Sequence, residues 1–363
     1  MSQFISIPHI LGDIKPLDIN AATAAAAHLD SLTKPPGSLG KLETLAIKLA
    51  GITGVERPSF PHRSVIVMAA DHGVCEEGIS AFPAEVTPQM VLNFLAGGAA
   101  VNVLSRQAGA EVLCVDIGVN AEMNHPDLIS RKVRMGTANM AKGPAMSREE
   151  AEAALLIGAN IVNEAYDRGV RLFVTGEMGI GNTTASAAVL SALIGVSPLE
   201  SVGRGTGISD EVLRHKALVV ERALECNTPN SLDPIDVLSK VGGLEIAGLT
   251  GVILAAAARQ CPVVIDGFIS SAAALLAQRF SPESAVYMIA SHTSHEQGHA
   301  HLLKELGLDP MLQLDMRLGE GTGGVLALHL IDAACRIMAE MATFESAGIS
   351  TGGESTESGT NQL

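Results

Sequence analysis

A short run without charged residues, Ser64-Val65-Ile66-Val67-Met68-Ala69-Ala70, leads directly into Asp71-His72-Gly73. Its length and its Val and Ile content are typical of a strand that is buried on both faces. Small and polar residues follow it at once, as they do where a strand of an open α/β sheet ends. The pattern therefore predicts a buried strand with a polar turn at its carboxyl end.

The same pattern recurs four times, with helical periodicity in between. The further predicted strands are residues 111–118, 170–176, 262–266 and 285–291. Continuously apolar strands that alternate with helices are typical of a parallel sheet covered by helices on both faces. We therefore predict an α/β fold with a mostly parallel sheet.

Capping residues mark several predicted helix starts. Asp18 precedes an Ala-rich helix, and Ser147 with Glu150 has the spacing of a capping box. Thr87-Pro88 is typical of an N-cap followed by Pro at the first helical position. A long helix is predicted for residues 325–344, and the Ser, Gly, Thr and Glu of residues 345–363 predict a flexible tail.

Composition excludes several classes of protein. The 363 residues are 47% hydrophobic and 17% charged, which excludes a mostly disordered chain. The formal net charge is −15, so a broad nucleic-acid surface is not expected. The uncharged run between Glu177 and Glu200 begins with Gly and polar residues, so we predict a loop and a buried helix there and no membrane span. Five cysteines without a CxxC pair, and an N-terminus without a basic segment, predict a cytoplasmic protein with reduced thiols.

Three Gly-rich segments indicate a binding site for a phosphate group. Residues 176–184 run from a predicted strand into a helix, whose N-terminal N–H groups can bind an anion. Residues 203–207 form a second Gly-rich loop, with Lys216 in the helix that follows, and residues 319–324 precede the long helix. No segment matches the P-loop or the GxGxxG pattern, so the kind of phosphate stays open, as does plain helix capping.

Two carboxylates, Glu177 and Glu320, lie among glycines. A Glu in a Gly-rich turn gains nothing from helix propensity, and main chain can approach it closely. That setting suits a general base or a substrate clamp, although an exposed loop carboxylate would have the same pattern.

A metal site is the alternative interpretation of the polar strand ends. His292, His295 and His299 have a spacing that brings them near the start of one helix, and Asp71, His72 and Asp116 follow other strands. Zinc is bound by such side chains, but no HExxH or Cys-pair signature is present. The alternative function is a metal-dependent hydrolase of a phosphorylated small molecule that uses Asp71, His72, His292 and His295.

Five longer motifs carry a family resemblance: residues 34–40 (KPPGSLG), 70–74 (ADHGV), 176–184 (GEMGIGNTT), 291–299 and 318–323 (LGEGTG). In this order they resemble the nicotinate-nucleotide–dimethylbenzimidazole phosphoribosyltransferases over roughly residues 17–344. The resemblance implies transfer of phosphoribose from nicotinate mononucleotide to 5,6-dimethylbenzimidazole. The products would be nicotinate and, with inversion, α-ribazole 5′-phosphate, the precursor of the lower ligand of cobalamin.

The resemblance also implies an architecture. It predicts a homodimer whose large domain, residues 61–324, has a Rossmann-like sheet and carries the active site. Residues 1–60 and 325–344, from both chain ends, would form a small helical domain. No cofactor is expected, and the partners would be small-molecule substrates.

Site residues follow from the matched motifs. The base of the family lies on the Glu of the LGEGTG motif, here Glu320, and Glu177 matches a second carboxylate of the site. The resemblance implies that the phosphate and nucleotide are bound by Gly179, Gly181, Gly205 and Lys216. It implies contacts with the nicotinate from Asp266, Ser294 and Arg317. It implies contacts with the benzimidazole from Ser80 and Gln89. A non-catalytic nucleotide sensor remains a further alternative, in which Glu320 would serve binding alone.

Overall fold

The computed structural model describes residues 6–203 and 209–350. The helices are α1 Ile7–Asp13, α2 Ile19–Ser31, α3 Lys41–Thr53, α4 Val86–Leu95, α5 Ala100–Ala108, α6 Arg148–Asp167, α7 Asn182–Ile194, α8 Pro198–Ser201, α9 Asp210–Asn227, α10 Pro234–Val241, α11 Leu244–Ala258, α12 Phe268–Phe280, α13 His299–Leu306, α14 Thr322–Glu340 and α15 Phe344–Ala347. The strands are β1 Arg63–Ala70, β2 Glu111–Gly118, β3 Ile129–Ser130, β4 Leu172–Met178, β5 Val263–Ile265, β6 Met288–Ala290, β7 His292–Thr293 and β8 Leu312–Gln313.

Six strands form one sheet in the order β3-β2-β1-β4-β5-β6, and every pairing in it is parallel. This is the doubly wound order, which reverses between β1 and β4. The predicted α/β fold with a mostly parallel sheet is confirmed. Ligands of such sheets bind outside the carboxyl ends of the strands where the order reverses, so β1 and β4 locate the expected site.

The predicted strands differ from the observed ones mainly at their ends. β4 continues to Met178, so Glu177 lies in a strand, whereas the sequence placed it in a turn. β6 is shorter than predicted because Pro282–Tyr287 forms a 3-10 helix before it. β3, β7 and β8 were not predicted, since two residues are too few to produce a periodic signal.

The capping residues mostly act as predicted. The Asp18 side chain accepts the Ala21 N–H, and Ser147 and Glu150 form the capping box of α6. Thr87 is the exception, because α4 begins at Val86, two residues before the predicted start at Pro88, and its N-cap is Glu85. Thr87 is fully buried, and its hydroxyl oxygen accepts the Ile180 N–H at 3.1 Å, so it joins α4 to the turn after β4.

Small residues allow the central helices to pack closely. A side chain on Gly158 of α6 would collide with the main-chain carbonyl oxygen of Gly248 on α11, and one on Gly251 would collide with that of Leu155. α11 is buried along nearly its whole length and also packs on β1, β2 and β4. The Ala- and Gly-rich composition therefore supports a core with helices in near main-chain contact.

Two compact units can be distinguished among the described residues. The larger comprises residues up to 17 and Phe60–His329, and the smaller comprises Asp18–Ser59 and residues from 330 onward. In the smaller unit, α2 packs on α3, and Leu32 forms an antiparallel bridge with Thr343. α1 packs on α6 and α11 of the larger unit, although the sequence assigned it to the small domain. The predicted domains, 1–60 with 325–344 and 61–324, stay a prediction.

α14 differs in length from its prediction and has an unusual composition. It ends at Glu340, and the predicted tail begins inside the one-turn helix α15, while residues 351–363 lie outside the described residues. α14 is long and apolar enough to cross a membrane by length and composition, and half of the apolar window is buried in the fold. Core helices of globular proteins meet the same criterion.

Candidate active site

A cavity of about 480 Å³ lies at the carboxyl ends of β1 and β4, within the larger unit. Its lining comes from the segment before α4, the first half of α4, the β4–α7 turn, α9, the start of α12, the segment after β6 and the loop before α14. These segments are far apart in sequence and meet because parallel strands end at one edge of the sheet. The Gly-rich segments around Gly179 and Gly319 therefore face one cavity, as predicted.

Glu320 lies at the centre of a tight turn before α14. Gly319, Glu320 and Gly321 all have positive φ angles, of 84°, 64° and 93°. A non-glycine residue is rarely held in this left-handed region, and such conformations concentrate at functional sites. The Glu320 side chain lines the cavity, and its Oε2 accepts the main-chain N–H of Val101, at the start of α5, at 3.4 Å. Burial raises the pKa of Glu320 above its usual range, against the opposing effect of that hydrogen bond.

Asp266 holds this turn from behind. Its carboxylate accepts the main-chain N–H groups of Gly321 at 3.1 Å and Gly324 at 2.9 Å. Asp266 is fully buried after β5 and does not line the cavity. Burial raises its pKa to about 7, although those N–H groups oppose the shift. Asp266 thus holds the segment that carries Glu320 by accepting its main-chain hydrogen bonds.

Glu177 connects the same turn to the start of α7. Its Oε2 accepts a hydrogen bond from Asn182 Nδ2, and its carboxylate also accepts the Glu320 N–H. Burial raises the pKa of Glu177 to about 8, and the carboxylates of Asp266 and Glu245 contribute to the rise. The Glu177 carboxyl group is therefore mostly protonated in the free protein at pH 7.

Lys216 supplies a buried cation to the lining of the same cavity. It projects from α9 and is 1% exposed, and its Nζ donates to Thr183 Oγ1 at 2.7 Å. Burial lowers its pKa to about 8, while the carboxylate of Glu296 partly offsets this. Thr183 lies in the first turn of α7, so the cation and the positive end of that helix dipole are adjacent. This is a favourable site for an anion.

Apolar side chains complete the lining. The wall contains Ile79, Val86, Met90 and Met178, and at its edge Phe82 and Leu318 are 50% and 58% exposed. Large apolar side chains that remain exposed at the rim of a cavity indicate a surface that an apolar ligand would cover. The cavity therefore has a cationic part and an apolar part, with carboxyl groups beside them.

A second layer of buried charge supports the turn after β4. His72 Nε2 and Glu245 Oε1 are 2.7 Å apart, with side chains 1% and 0% exposed. Burial works against a charge on His72, but the Glu245 carboxylate raises the His72 pKa above its usual value. A side chain on Gly179 would meet the main-chain carbonyl oxygen of Ala70, so this turn packs directly on the end of β1.

Comparison with known proteins identifies the family. The chain matches the family described as "Phosphoribosyltransferase" over residues 14–349. The nicotinate-nucleotide–dimethylbenzimidazole phosphoribosyltransferase of Chloroflexus aggregans is 60% identical over 341 residues, which are 94% of this chain and 97% of the relative. The enzyme of the same name from Halalkalibacterium halodurans is 55% identical over 95% of this chain and 96% of its own. The chain belongs to this phosphoribosyltransferase family.

A solved structure agrees with this membership. The crystal structure of CobT from Thermus thermophilus superposes with a TM-score of 0.89 at 49% identity. The match covers 92% of this chain and all of that one. The comparisons give no support to the metal-dependent hydrolase.

Most of the site residues predicted from the sequence lie together. The cavity is lined by Glu320, Glu177, Ser80, Gly179, Gly181, Lys216, Ser294 and Arg317. Gln89 is exposed on α4 and does not line the cavity, and Asp266 lies behind the loop. Gly205 lies outside the described residues. The roles of these residues in binding and catalysis stay predictions.

The residues of the alternative metal site have other partners. Asp71 accepts the Asn120 N–H, His72 pairs with Glu245, and His295 is exposed. Within residues 6–203 and 209–350, no three His, Cys, Asp or Glu side chains are grouped so that they could hold a metal ion.

Several contributors were missed by the sequence analysis. Asn182 and Thr183 were inside the quoted GEMGIGNTT motif, but Asn182 was not singled out as the partner of Glu177. Glu245 could have been noticed as the single charge in an apolar helix after Gly242-Gly243. Val101 and Glu296 have no sequence signal, since the first acts through its main chain and the second through a contact far along the chain.

Proposed function

We propose that the protein transfers the 5-phosphoribosyl group of nicotinate mononucleotide to 5,6-dimethylbenzimidazole, releasing nicotinate and forming α-ribazole 5′-phosphate. The observation that carries the proposal is a single cavity that combines a carboxylate, an apolar wall and a buried cation at a helix N-terminus. The carboxylate suits an N–H acid, the apolar wall suits a planar apolar base, and the cation at the helix N-terminus suits a phosphate. The names of relatives that cover nearly the whole chain support it.

The bond changes require few protein groups. The bond between C1′ and the pyridinium nitrogen breaks, and its electron pair returns to the ring, so the leaving group needs no acid. A benzimidazole nitrogen attacks C1′ from the opposite face, which inverts the anomeric configuration. The remaining N–H proton of the base must then be removed, and one carboxylate is sufficient for that step. No metal or cofactor is needed to balance the reaction.

Glu320 is assigned as the general base. It is held on a tight turn that lines the same cavity as the cation and the apolar wall, and its pKa is raised by burial. A raised pKa makes a carboxylate a stronger base for the benzimidazole N–H proton, provided that it remains ionised at the working pH.

Glu177 is assigned an orienting role. A group whose pKa lies at about 8 carries a proton at pH 7, so the free enzyme places a neutral carboxyl group there. Its hydrogen bonds to Asn182 and to the Glu320 N–H connect the phosphate side of the cavity to the base. A bound pyridinium nucleotide, which brings positive charge, would favour ionisation of Glu177 and so stabilise the oxocarbenium-like ribose.

The remaining assignments are those implied by the matched motifs. Lys216, with Gly179, Gly181 and Gly205, is assigned to the 5′-phosphate. Ser294 and Arg317 are assigned to the nicotinate side, with Asp266 fixing the adjacent loop, and Ser80 and Gln89 to the benzimidazole side. Gln89 is the weakest of these, because its side chain is exposed on α4.

The test is direct. The protein is incubated with nicotinate mononucleotide and 5,6-dimethylbenzimidazole, and the product is identified by mass and by the anomeric coupling in its proton NMR spectrum. Glu320→Gln serves as the matched control. Formation of the α-ribotide by the wild type alone supports the proposal, whereas ribose 5-phosphate as the sole product would indicate a hydrolase, and the absence of turnover would indicate a binding protein.

We further propose that the protein is a cytoplasmic homodimer that acts on small molecules and binds neither a membrane nor nucleic acid. Its support is the family membership and the net charge of −15. Sedimentation equilibrium tests the oligomeric state, and fractionation of the source cells tests the location.

A further inference from the structure

His292 lies in the wall of the cavity but has no part in the mechanism described above. It is the first residue of β7, its side chain is 4% exposed, and it lines the same cavity as Lys216 and Glu320. A polar ring held this firmly beside a ligand site raises the question of what it presents to the ligand.

The hydrogen bonds of Ser291 determine the tautomer of this ring. Ser291 Oγ lies 2.8 Å from the carbonyl oxygen of Ile265 and 3.0 Å from that of Asp266. Carbonyl oxygens only accept, so we assign the single hydroxyl proton of Ser291 to them. His292 Nδ1, 2.9 Å from the same Oγ, then donates to it, and the Asp266 carboxylate 3.9 Å from Nδ1 favours a proton on that nitrogen. The proton lies on Nδ1, and burial lowers the pKa of the ring, so Nε2 carries a lone pair.

The ring is also fixed in its orientation. A side chain on Gly323 would collide with Nδ1 of His292, and one on Gly267 would come within 3.9 Å of Nε2. The ring is thus packed against two main-chain segments, and the one at Gly323 leaves room for it because that residue is a glycine. Among residues 6–203 and 209–350, no side chain or main-chain group makes a hydrogen bond to Nε2. The cavity therefore presents an acceptor that awaits a donor.

The substrates of the proposed reaction contain few donors. Nicotinate has none at neutral pH, the phosphate is assigned to Lys216, and the benzimidazole N–H proton is assigned to Glu320. The two hydroxyl groups of the ribose remain. We infer that His292 Nε2 accepts a hydrogen bond from a ribose hydroxyl of the nucleotide and selects ribonucleotide over deoxyribonucleotide substrates. The inference rests on the proposed function.

Two substitutions separate the ring nitrogens. The amide nitrogen of Asn can replace Nδ1 and keep the bond to Ser291, so His292→Asn removes the acceptor alone. The amide of Gln reaches the position of Nε2, so His292→Gln restores a carbonyl acceptor there and serves as the rescue variant. His295→Asn is the matched control, because His295 is exposed three residues further on and does not line the cavity.

The experiment measures kcat/KM for nicotinate mononucleotide and for its 2′-deoxy and 3′-deoxy forms. Deoxygenation changes the intrinsic reactivity of the sugar, but that change is common to all variants and cancels when each variant is compared with the wild type. A hydrogen bond between neutral groups predicts that the preference for one hydroxyl falls about two- to tenfold in His292→Asn. The preference should return in His292→Gln and be unaltered in His295→Asn.

The outcomes are distinct. Loss of discrimination at either hydroxyl, with rescue by Gln, supports the inference and identifies the hydroxyl. Equal losses for all three nucleotides would overturn it, and so would loss of the acid limb of the pH profile, which would make His292 the base. If the wild type forms no product from nicotinate mononucleotide, the proposed function itself fails and the inference with it.

Discussion

The main-chain carbonyl oxygen of Glu320 lies 2.5 Å from the point that a Cβ atom would occupy on Gly176. β4 thus has no side chain where the turn that carries Glu320, the proposed general base, crosses it. The turn also packs on its neighbours there, since a side chain on Gly321 would meet Val65 and the carbonyl oxygen of Thr175. The position of Glu320 is therefore set by main chain packed on main chain.

Gly176→Ala should impair catalysis while the fold persists. The added methyl group must displace the Glu320 turn, and a displacement of about 1 Å at a catalytic group can cost about 10²-fold in rate. We expect kcat to fall by about that factor, measured with both substrates saturating. Gly143→Ala is the control, because a side chain there would meet no atom within 4 Å, and it should leave kcat unchanged. Wild-type kcat in Gly176→Ala would show that the turn adapts freely.

Glu320→Gln tests the base itself. Gln keeps the shape of the side chain but cannot take the benzimidazole proton, and a positioned base contributes ~10²–10⁴-fold in rate. Turnover should fall by that factor, while Michaelis constants change little. The wild-type rate should decrease on the acid side through one apparent pKa, raised above the usual Glu range by burial, and Gln should abolish that limb. If the variant keeps both turnover and limb, the base lies elsewhere.

Lys216→Ala tests the phosphate site. A charge-assisted hydrogen bond is worth ~1.5–3 kcal/mol, so the Michaelis constant for nicotinate mononucleotide should rise about tenfold to a hundredfold. The constant for the benzimidazole should hardly change. Because burial lowers the Lys216 pKa to about 8, kcat/KM of the wild type for the nucleotide should also decline above about pH 8 as the cation loses its proton. Lys142→Ala, at an exposed surface pair with Glu76, controls for net charge. Equal effects on both substrates would refute the assignment.

Glu177→Gln has an expected effect on stability whose sign depends on pH. The folded-state pKa of about 8 lies above the unfolded value of 4.5, so the wild type binds an extra proton on folding between these values. The contribution of this bound proton to the free energy of unfolding is fully present below about pH 4.5 and is lost as the pH rises toward 8. Gln cannot ionise, so the free energy of unfolding of the variant should rise relative to that of the wild type, on the order of a few kcal/mol, between pH 5 and pH 8.

Thermal unfolding of both proteins at several pH values measures this difference. The acid limb of the rate should remain in Glu177→Gln if Glu177 only orients the substrate. A constant difference in melting temperature across pH would show that Glu177 is ionised in the folded protein.

The sequence was informative where the local pattern and the final environment agree. The strand before Asp71 is apolar because both of its faces are buried, so its short continuous apolar run identified it. The LGEGTG motif located Glu320, since glycines on both sides are required by a turn with three positive φ angles.

Elsewhere the local pattern and the final environment differ. Glu177 lies inside β4, where burial raises its pKa and Asn182 donates a hydrogen bond to its carboxyl group. No local sequence pattern predicts that contact. Thr87 has the spacing of an N-cap but binds a main-chain N–H on another segment. The role of Asp266 in holding the Glu320 turn depends on residues more than fifty positions away. Such placements require the folded sheet edge before they can be recognised.

The strands of the sheet are synthesised before Glu320, and this order has a consequence for truncated chains. β6, the last strand of the six-stranded sheet, is complete at Ala290, whereas Glu320 is added thirty residues later, and the turn that holds it requires Asp266 to be in place already. A chain that ended between these points would therefore contain all six strands of the sheet and lack the proposed base. Such a truncated product would be expected to show no transferase activity, so activity would mark only chains that extend past the Glu320 turn.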